Sequence, residues 1–153
     1  MPLPQLTEAS VRLGARAADW RGAVRIAGDV LVETGSVDRA YIQRMIDVIE
    51  EFGAYVVIAP GLALAHARPG DDVRTDGLSL VTLEEPVTFG HAHNDPVGVV
   101  IGLAVTSADA HLTGIADLAN AFNDPGLVPA LGAATERSAA IELILQGMSR
   151  GAS

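Results

Sequence analysis

Besides carboxylates and hydroxyls, the ordinary nucleophile or base candidates of this 153-residue chain are four histidines, His66, His91, His93 and His111. The chain has no cysteine, which removes thiolate catalysis, disulfides and cysteine-ligated metal. It also has no lysine, which removes Schiff-base and P-loop lysine chemistry. His66 stands out. It lies in the run Tyr55 to Pro69, where an apolar stretch breaks at Pro60-Gly61, resumes as Leu62 to Leu64, and delivers the imidazole with Arg68 two residues on. An unperturbed imidazole keeps a neutral nitrogen nucleophile near pH 7. A guanidinium can hold phosphate oxygens in a bidentate fork. A nucleophile and an anion clamp at the end of buried backbone suit a histidine that is itself phosphorylated. Spacing alone fits equally a histidine packed at a sheet end with one ring nitrogen on backbone, and an Arg68 that pairs with Asp71 or Asp72.

The other histidines divide. His111 falls in the first turn of a helix that the pattern opens at Asp109. His91 and His93 form a His-x-His pair, whose rings share one side in an extended segment, as some zinc sites require. No third ligand is identifiable, so the pair reads as a polar turn before Asn94-Asp95-Pro96, and no metal is assigned. Asp71-Asp72 and Glu84-Glu85 have no paired catalytic spacing. No Gly-x-Gly-x-x-Gly or Walker-type loop is present, so no nucleotide site is indicated, and a phosphoryl group has to come from a protein.

These residues need a scaffold. Asp19 is placed to cap a helix with Ala23, Ile26, Ala27, Val30 and Leu31 on one face, stopped at Gly35. Asp38 is expected to open a second helix carrying Tyr41, Ile42, Met45, Val48, Ile49 and Phe52, ended by Gly53. Strand-like runs follow at Tyr55 to Ala59, Leu62 to Ala67, Leu78 to Leu83 and Val97 to Val105, with a short first strand near Val11 to Leu13. A helix from Asp109 through Phe122 turns Ile115, Leu118, Ala119 and Phe122 inward. Pro125 fits the first turn of a short helix. A last helix runs roughly Ser138 to Gln146 and stops at Gly147. Residues 1–10 and 148–153 read as frayed ends. The order predicts the α/β class: a single mixed β-sheet flanked by helices.

Length predicts one domain over residues 1–153, with its core about 11–147. Hydrophobic residues make up 49% and aromatics 4%, so the core is aliphatic and alanine-rich. No apolar run approaches the ~18 residues of a membrane span, and the N-terminus lacks the pattern of a signal peptide. The chain reads as cytoplasmic. Ten basic residues against 19 acidic give a formal charge of −9. That field disfavours nucleic acid and anionic membrane and favours partners with a basic docking face. A homodimer is left open.

The segment Pro60-Gly61-Leu62-Ala63-Leu64-Ala65-His66-Ala67-Arg68-Pro69 resembles the active-site signature of the mannitol/fructose-class enzyme IIA domains of the bacterial phosphoenolpyruvate:sugar phosphotransferase system, built on Gly-x-Ala-x-Pro-His. Glu51-Phe52-Gly53-Ala54-Tyr55-Val56-Val57-Ile58-Ala59-Pro60-Gly61 resembles the ascorbate-type branch more narrowly. Leu80 to Val87, Asn94-Asp95-Pro96-Val97 and Trp20 with Ala23-Val24 match the same branch, and the likeness spans about Val11 to Leu145. Two positions depart from it: Ala65 stands where the family has proline, and Ala54 stands in a typical Gly-Pro-Tyr. The alanine restores an N–H and frees φ before the histidine.

The resemblance implies a phosphotransferase relay component. His66 would be the phospho-acceptor, taking phosphoryl from phospho-HPr at Nε2 and passing it to a cysteine of enzyme IIB, with the membrane permease enzyme IIC reached only indirectly and ascorbate as the sugar. It implies His111 as a supporting histidine facing His66, donating a hydrogen bond to a phosphoryl oxygen near the helix N-terminus. Arg68 is the expected phosphate-binding residue. Mannitol-type members carry an arginine near the end of the second helix, where this chain has Val48-Ile49-Glu50-Glu51, so Arg68 or Arg44 has to replace it. Neither cofactor nor metal belongs to the scheme. The alternative within the same fold is a regulatory phospho-switch that binds partner proteins.

Overall fold

The computed structural model describes residues 6–151. A 3₁₀ turn at Glu8–Ser10 leads into β1 (Val11–Ala15), followed by α1 (Trp20–Glu33) and α2 (Ala40–Phe52). A second 3₁₀ turn, Ala54–Val56, precedes β2 (Val57–Ala59), β3 (Leu62–His66), β4 (Gly77–Val87) and β5 (Val97–Ala104). The chain closes with α3 (Ala108–Ala121), α4 (Leu127–Ala133) and α5 (Arg137–Gly151). The strands form one mixed sheet in the order β1-β4-β5-β3-β2. β1 runs parallel to β4 and β3 parallel to β5, while β4–β5 and β2–β3 are antiparallel. The expected mixed sheet flanked by helices is the observed architecture.

Apolar clusters cover both faces of the sheet. On one, α1 and α2 lie against Ala63, Ala65 and Ala67 of the β3 region and Val81, Val100 and Ala104. This face is built of small residues, so α1 approaches closely: a Cβ added at Gly102 would lie 2.4 Å from Ser79 Oγ and 3.4 Å from Ala27 Cβ. On the other face α3, α4 and α5 cover Leu62, Leu64, Leu80, Val99, Ile101 and Leu103. Leu62 and Leu64 thus face one layer, and Ala63 and Ala65 the other, as the period of two in a strand requires.

At the helix ends, distant chain decides some of the caps. Asp19 caps α1 as expected, accepting from Gly22 N at 2.9 Å, and Gly35 follows its end at φ +83°. Asp38 does not cap α2: its carboxylate accepts from Arg74 at 2.6 Å instead, because the chain after β3 returns alongside it. α3 is capped by Ser107, which accepts from Ala110 N at 3.1 Å, so Asp109 sits inside the first turn. The buried stripe of α3 is Ala110, Gly114, Leu118 and Ala121, whereas Ala119 is exposed.

Tyr55 belongs to the 3₁₀ turn, not to a strand. Pro125 lies just before α4, whose N-cap is Gly126. Gly147 does not stop α5: the helix passes through it where a side chain would press on Leu127 and the Ala121 carbonyl. The expected frayed ends lie partly outside the described residues; inside them, Glu8–Ser10 is ordered and α5 runs through Gly151. No helix among the described residues is long and apolar enough to cross a membrane.

Candidate functional site

His66 closes β3 and shares the parity of Leu62 and Leu64, so its ring emerges on the side where α3 begins. There it meets His111, in the first turn of α3, with ring centroids 5.2 Å apart. His66 is only 7% exposed. Its Nδ1 lies 2.8 Å from the Leu64 carbonyl oxygen. A carbonyl has no proton to give, so Nδ1 is the donor and the neutral ring carries its lone pair on Nε2. Burial pushes the His66 pKa below the ordinary 6.5; the bond to Leu64 opposes this, and His111 adds to it. Near pH 7 the ring is therefore neutral, with Nε2 unprotonated.

Burial, and then the charge of Arg68, also lower the pKa of His111. Its Nδ1 is buried without a hydrogen-bond partner among the described residues. A neutral ring with its proton on Nε2 leaves no N–H unsatisfied at that position. The Ser107 cap and the Ser107 carbonyl, which accepts from His111 N at 3.0 Å, fix the first turn that carries the ring.

A depression of about 750 Å³ opens over the pair, lined by Arg44, Phe52, Tyr55, His66, Arg68 and His111 among others. Tyr55 presents its ring edge-on to His66, 5.9 Å between centroids, and Phe52 stacks edge-on against Tyr55 at 6.4 Å. Phe52 is 67% exposed, and Leu112, next to His111 on α3, is 69% exposed. Phe52, expected to face the core, instead looks over this depression, while Val48 packs against the core as expected and also reaches the rim.

The structure thus brings His66, His111 and Arg68 together. Arg68 pairs with neither Asp71 nor Asp72, and its guanidinium makes no ion pair among the described residues. Arg44 is committed elsewhere: Nε and Nη2 grip the Asp72 carboxylate at 2.8 and 2.5 Å, and Nη2 also donates to the Arg68 carbonyl at 2.9 Å. His91 and His93 lie in another loop. There His91 Nδ1 accepts from the backbone N–H groups of His93 and Asn94, both at 3.1 Å, so the histidine builds the turn. Among the described residues no three His, Asp or Glu side chains are grouped to hold a metal.

Tyr41 is the residue that sequence reasoning placed in the core without seeing its polar end. Its buried hydroxyl accepts from Ala67 N at 2.9 Å and donates to the Leu103 carbonyl at 2.7 Å, tying β3 to β5 directly beyond His66. Burial raises its pKa to about 12, so the hydroxyl stays protonated and can donate. The available signal was an arginine three residues after a tyrosine on one helix face, which puts both side chains over the same stretch of neighbouring chain.

A mixed five-stranded sheet between helical layers is the fold this chain shares with the mannitol-type enzyme IIA proteins. In the solved complex of enzyme IIA-mannitol with phosphorylated enzyme IIB-mannitol from Escherichia coli, a chain 28% identical to this one superimposes with a TM-score of 0.82 over 93% of this chain and 98% of that one. The chain belongs to the family described as phosphoenolpyruvate-dependent sugar phosphotransferase system, EIIA 2, which it matches over residues 5–147. It is 42% identical over 136 residues to the ascorbate-specific PTS system EIIA component of Salmonella choleraesuis, covering 88% of each chain. It is 46% identical over 116 residues to the protein of the same name from Escherichia coli K12, covering 75% of each.

Proposed function

We propose that the chain is one enzyme IIA domain acting in the cytoplasm as a phosphocarrier for ascorbate uptake, with His66 Nε2 as the acceptor. The observation that carries this reading is the Nδ1–H bond to the Leu64 carbonyl, because it leaves the lone pair of a neutral imidazole on Nε2. In the first step Nε2 attacks phosphorus in line: the Nε2–P bond forms, the bond between phosphorus and HPr breaks, and its electron pair leaves with HPr. No proton has to leave His66, since Nδ1 keeps the only one. In the second step a cysteine thiolate of enzyme IIB attacks the same phosphorus, and the electron pair of the breaking Nε2–P bond returns to the ring.

The protein's part is positioning and charge stabilisation. His111 supplies a donor through Nε2–H, assisted by the positive end of α3, and Arg68 neutralises phosphoryl charge. The exposed Phe52, Tyr55 and Leu112 give both partners an apolar surface around a histidine that is itself buried. The ascorbate-specific relatives and the mannitol neighbour solved with enzyme IIB support the sugar and the partner.

The test is incubation of the purified protein with phosphoenolpyruvate, enzyme I and HPr, followed by intact-mass measurement beside His66→Ala and His111→Ala. One acid-labile phosphoryl adduct is expected, absent in His66→Ala and slow to form in His111→Ala. An adduct that persists in His66→Ala removes His66 as acceptor, and an unmodified wild type with competent HPr removes the relay.

A further inference from the structure

The loop that leaves His66 is wrapped around a single side chain. Arg44 Nη2 touches the Arg68 carbonyl at 2.9 Å, and its fork holds the Asp72 carboxylate. Between these, Gly70 passes so close that an added Cβ would lie 2.7 Å from Nη2. The far end of the loop has other anchors. Asp38 N donates to the Asp72 carbonyl at 2.8 Å, Val37 and Val73 form a bridge, and Arg74 N and Thr75 N donate to the Ser36 carbonyl at 2.8 and 3.2 Å. At the near end Tyr41 holds Ala67, just past the last strand residue, His66, which pairs with Leu103. Among the described residues the Arg68 carbonyl has no partner in a side chain but Arg44.

We propose that Arg44 is a positioning residue, which by holding the Arg68 carbonyl directs the free Arg68 guanidinium toward the His66–His111 pair. Its consequence for transfer rests on the phosphocarrier reading; its structural content does not. One guanidinium is spent on the backbone so that another, two residues beyond the histidine, stays available to an anion. The charge of Arg68 already acts on both Tyr55 and His111, as expected of a side chain aimed into the depression. Arg44 itself is engaged by Asp72, a partner only 12% exposed at its side chain. Because the loop has several anchors, removing Arg44 redirects Arg68 rather than unfolding the segment.

A double-mutant cycle tests this on the whole chain, with Arg44→Gln, Arg44→Lys, Arg68→Gln and the Arg44→Gln/Arg68→Gln pair. Arg44→Lys keeps the charge while losing the fork, and it is the variant of record if Arg44→Gln lowers the thermal midpoint. The first readout is the titration of the His111 ring by NMR, which needs no phosphoryl donor. Arg68→Gln should move the midpoint upward by removing a positive neighbour, and both Arg44 variants should produce most of that rise with Arg68 still present. The double variant should match Arg68→Gln alone.

The second readout is the rate of phosphoryl uptake from phospho-HPr. Arg44→Lys should slow it on the order of tenfold, within the range that a small misplacement of a positioned group costs. Adding Arg44→Gln to Arg68→Gln should slow it no further. A His111 midpoint unmoved by either Arg44 variant, or effects that add in the double variant, would overturn the proposal. A wild type that takes up no phosphoryl group removes the relay reading instead, and the titration still decides on Arg44.

Discussion

Replacing Tyr41 by phenylalanine removes one oxygen atom and keeps the ring that fills the space between α2 and the sheet. That oxygen sits in a fully buried side chain, accepts from the Ala67 N–H at 2.9 Å, and has two carbonyls within donor reach, Leu103 at 2.7 Å and Ala67 at 3.2 Å. A buried hydrogen bond contributes about 1 kcal/mol net, and a buried donor or acceptor left without a partner costs about 1–3 kcal/mol. The Ala67 N–H has no water to turn to, since Ala67 is 3% exposed. The expected loss is therefore roughly 2–4 kcal/mol, more than the hydroxyl of an exposed tyrosine would cost. For a chain of this length that corresponds to a fall of roughly 5–15 °C in the thermal midpoint.

The assay for Tyr41→Phe is urea unfolding followed by circular dichroism, with the slope checked against wild type so that the midpoint shift reports stability. Amide hydrogen exchange at Ala67 supplies the local signature: protected in wild type, and exchanging by local opening in the variant. A loss below about 0.5 kcal/mol with Ala67 still protected would refute the reasoning, because surface substitutions already reach that size.

The pH dependence follows from the two histidines. Both have folded-state pKa values lowered below 6.5, so the unfolded chain binds more protons as pH falls past that value. Their contribution is thus fully present above pH 6.5 and is lost progressively as pH falls toward the folded values. Urea midpoints measured from pH 8 down to pH 5 should be level and then decline, with a shallower decline in His66→Ala and His111→Ala. In Gly102→Ala the new methyl lies 2.4 Å from Ser79 Oγ, a hydroxyl already donating to the Ala27 carbonyl at 2.9 Å. The variant should lose about 1–3 kcal/mol by overpacking. Gly102→Ala in a Ser79→Ala background should recover part of that loss, and strict additivity of the two unfolding energies would count against the packing account.

The sheet and most helices were legible because their residues keep a regular period: Leu62 and Leu64 alternate with Ala63 and Ala65, and Ala23, Ala27, Val30 and Leu31 repeat on one helix face. His66, His111 and Arg68 were named as candidates, and the fold sets them around one depression. What escaped was decided by distant chain. Asp38 looked like a cap but is held by Arg74, 36 residues away, and Arg44, offered beside Arg68 for the arginine of mannitol-type members, is engaged by Asp72. Tyr41 read as core because its ring is core; only the pairing of β3 with β5 shows what its hydroxyl does. Phe52 fits the apolar stripe of α2 with Val48, yet that stripe extends beyond the sheet it covers and leaves Phe52 exposed. Periodicity says which residues share a face and is silent on where the neighbouring layer ends.

The Leu64 carbonyl that accepts the hydrogen bond from His66 Nδ1–H is part of the main chain, and this bears on how the site tolerates mutation. A ring oriented by a carboxylate can be disarmed by one codon change at the partner. Here every amino acid that the inner strand accepts at position 64 would supply the same acceptor. Selection on the tautomer therefore does not act on the identity of residue 64. It acts on residue 65, the single link spanned by the contact, whose backbone angles set the distance between ring and carbonyl. A substitution there can retune the aim of the imidazole while the choice of nitrogen stays with the strand.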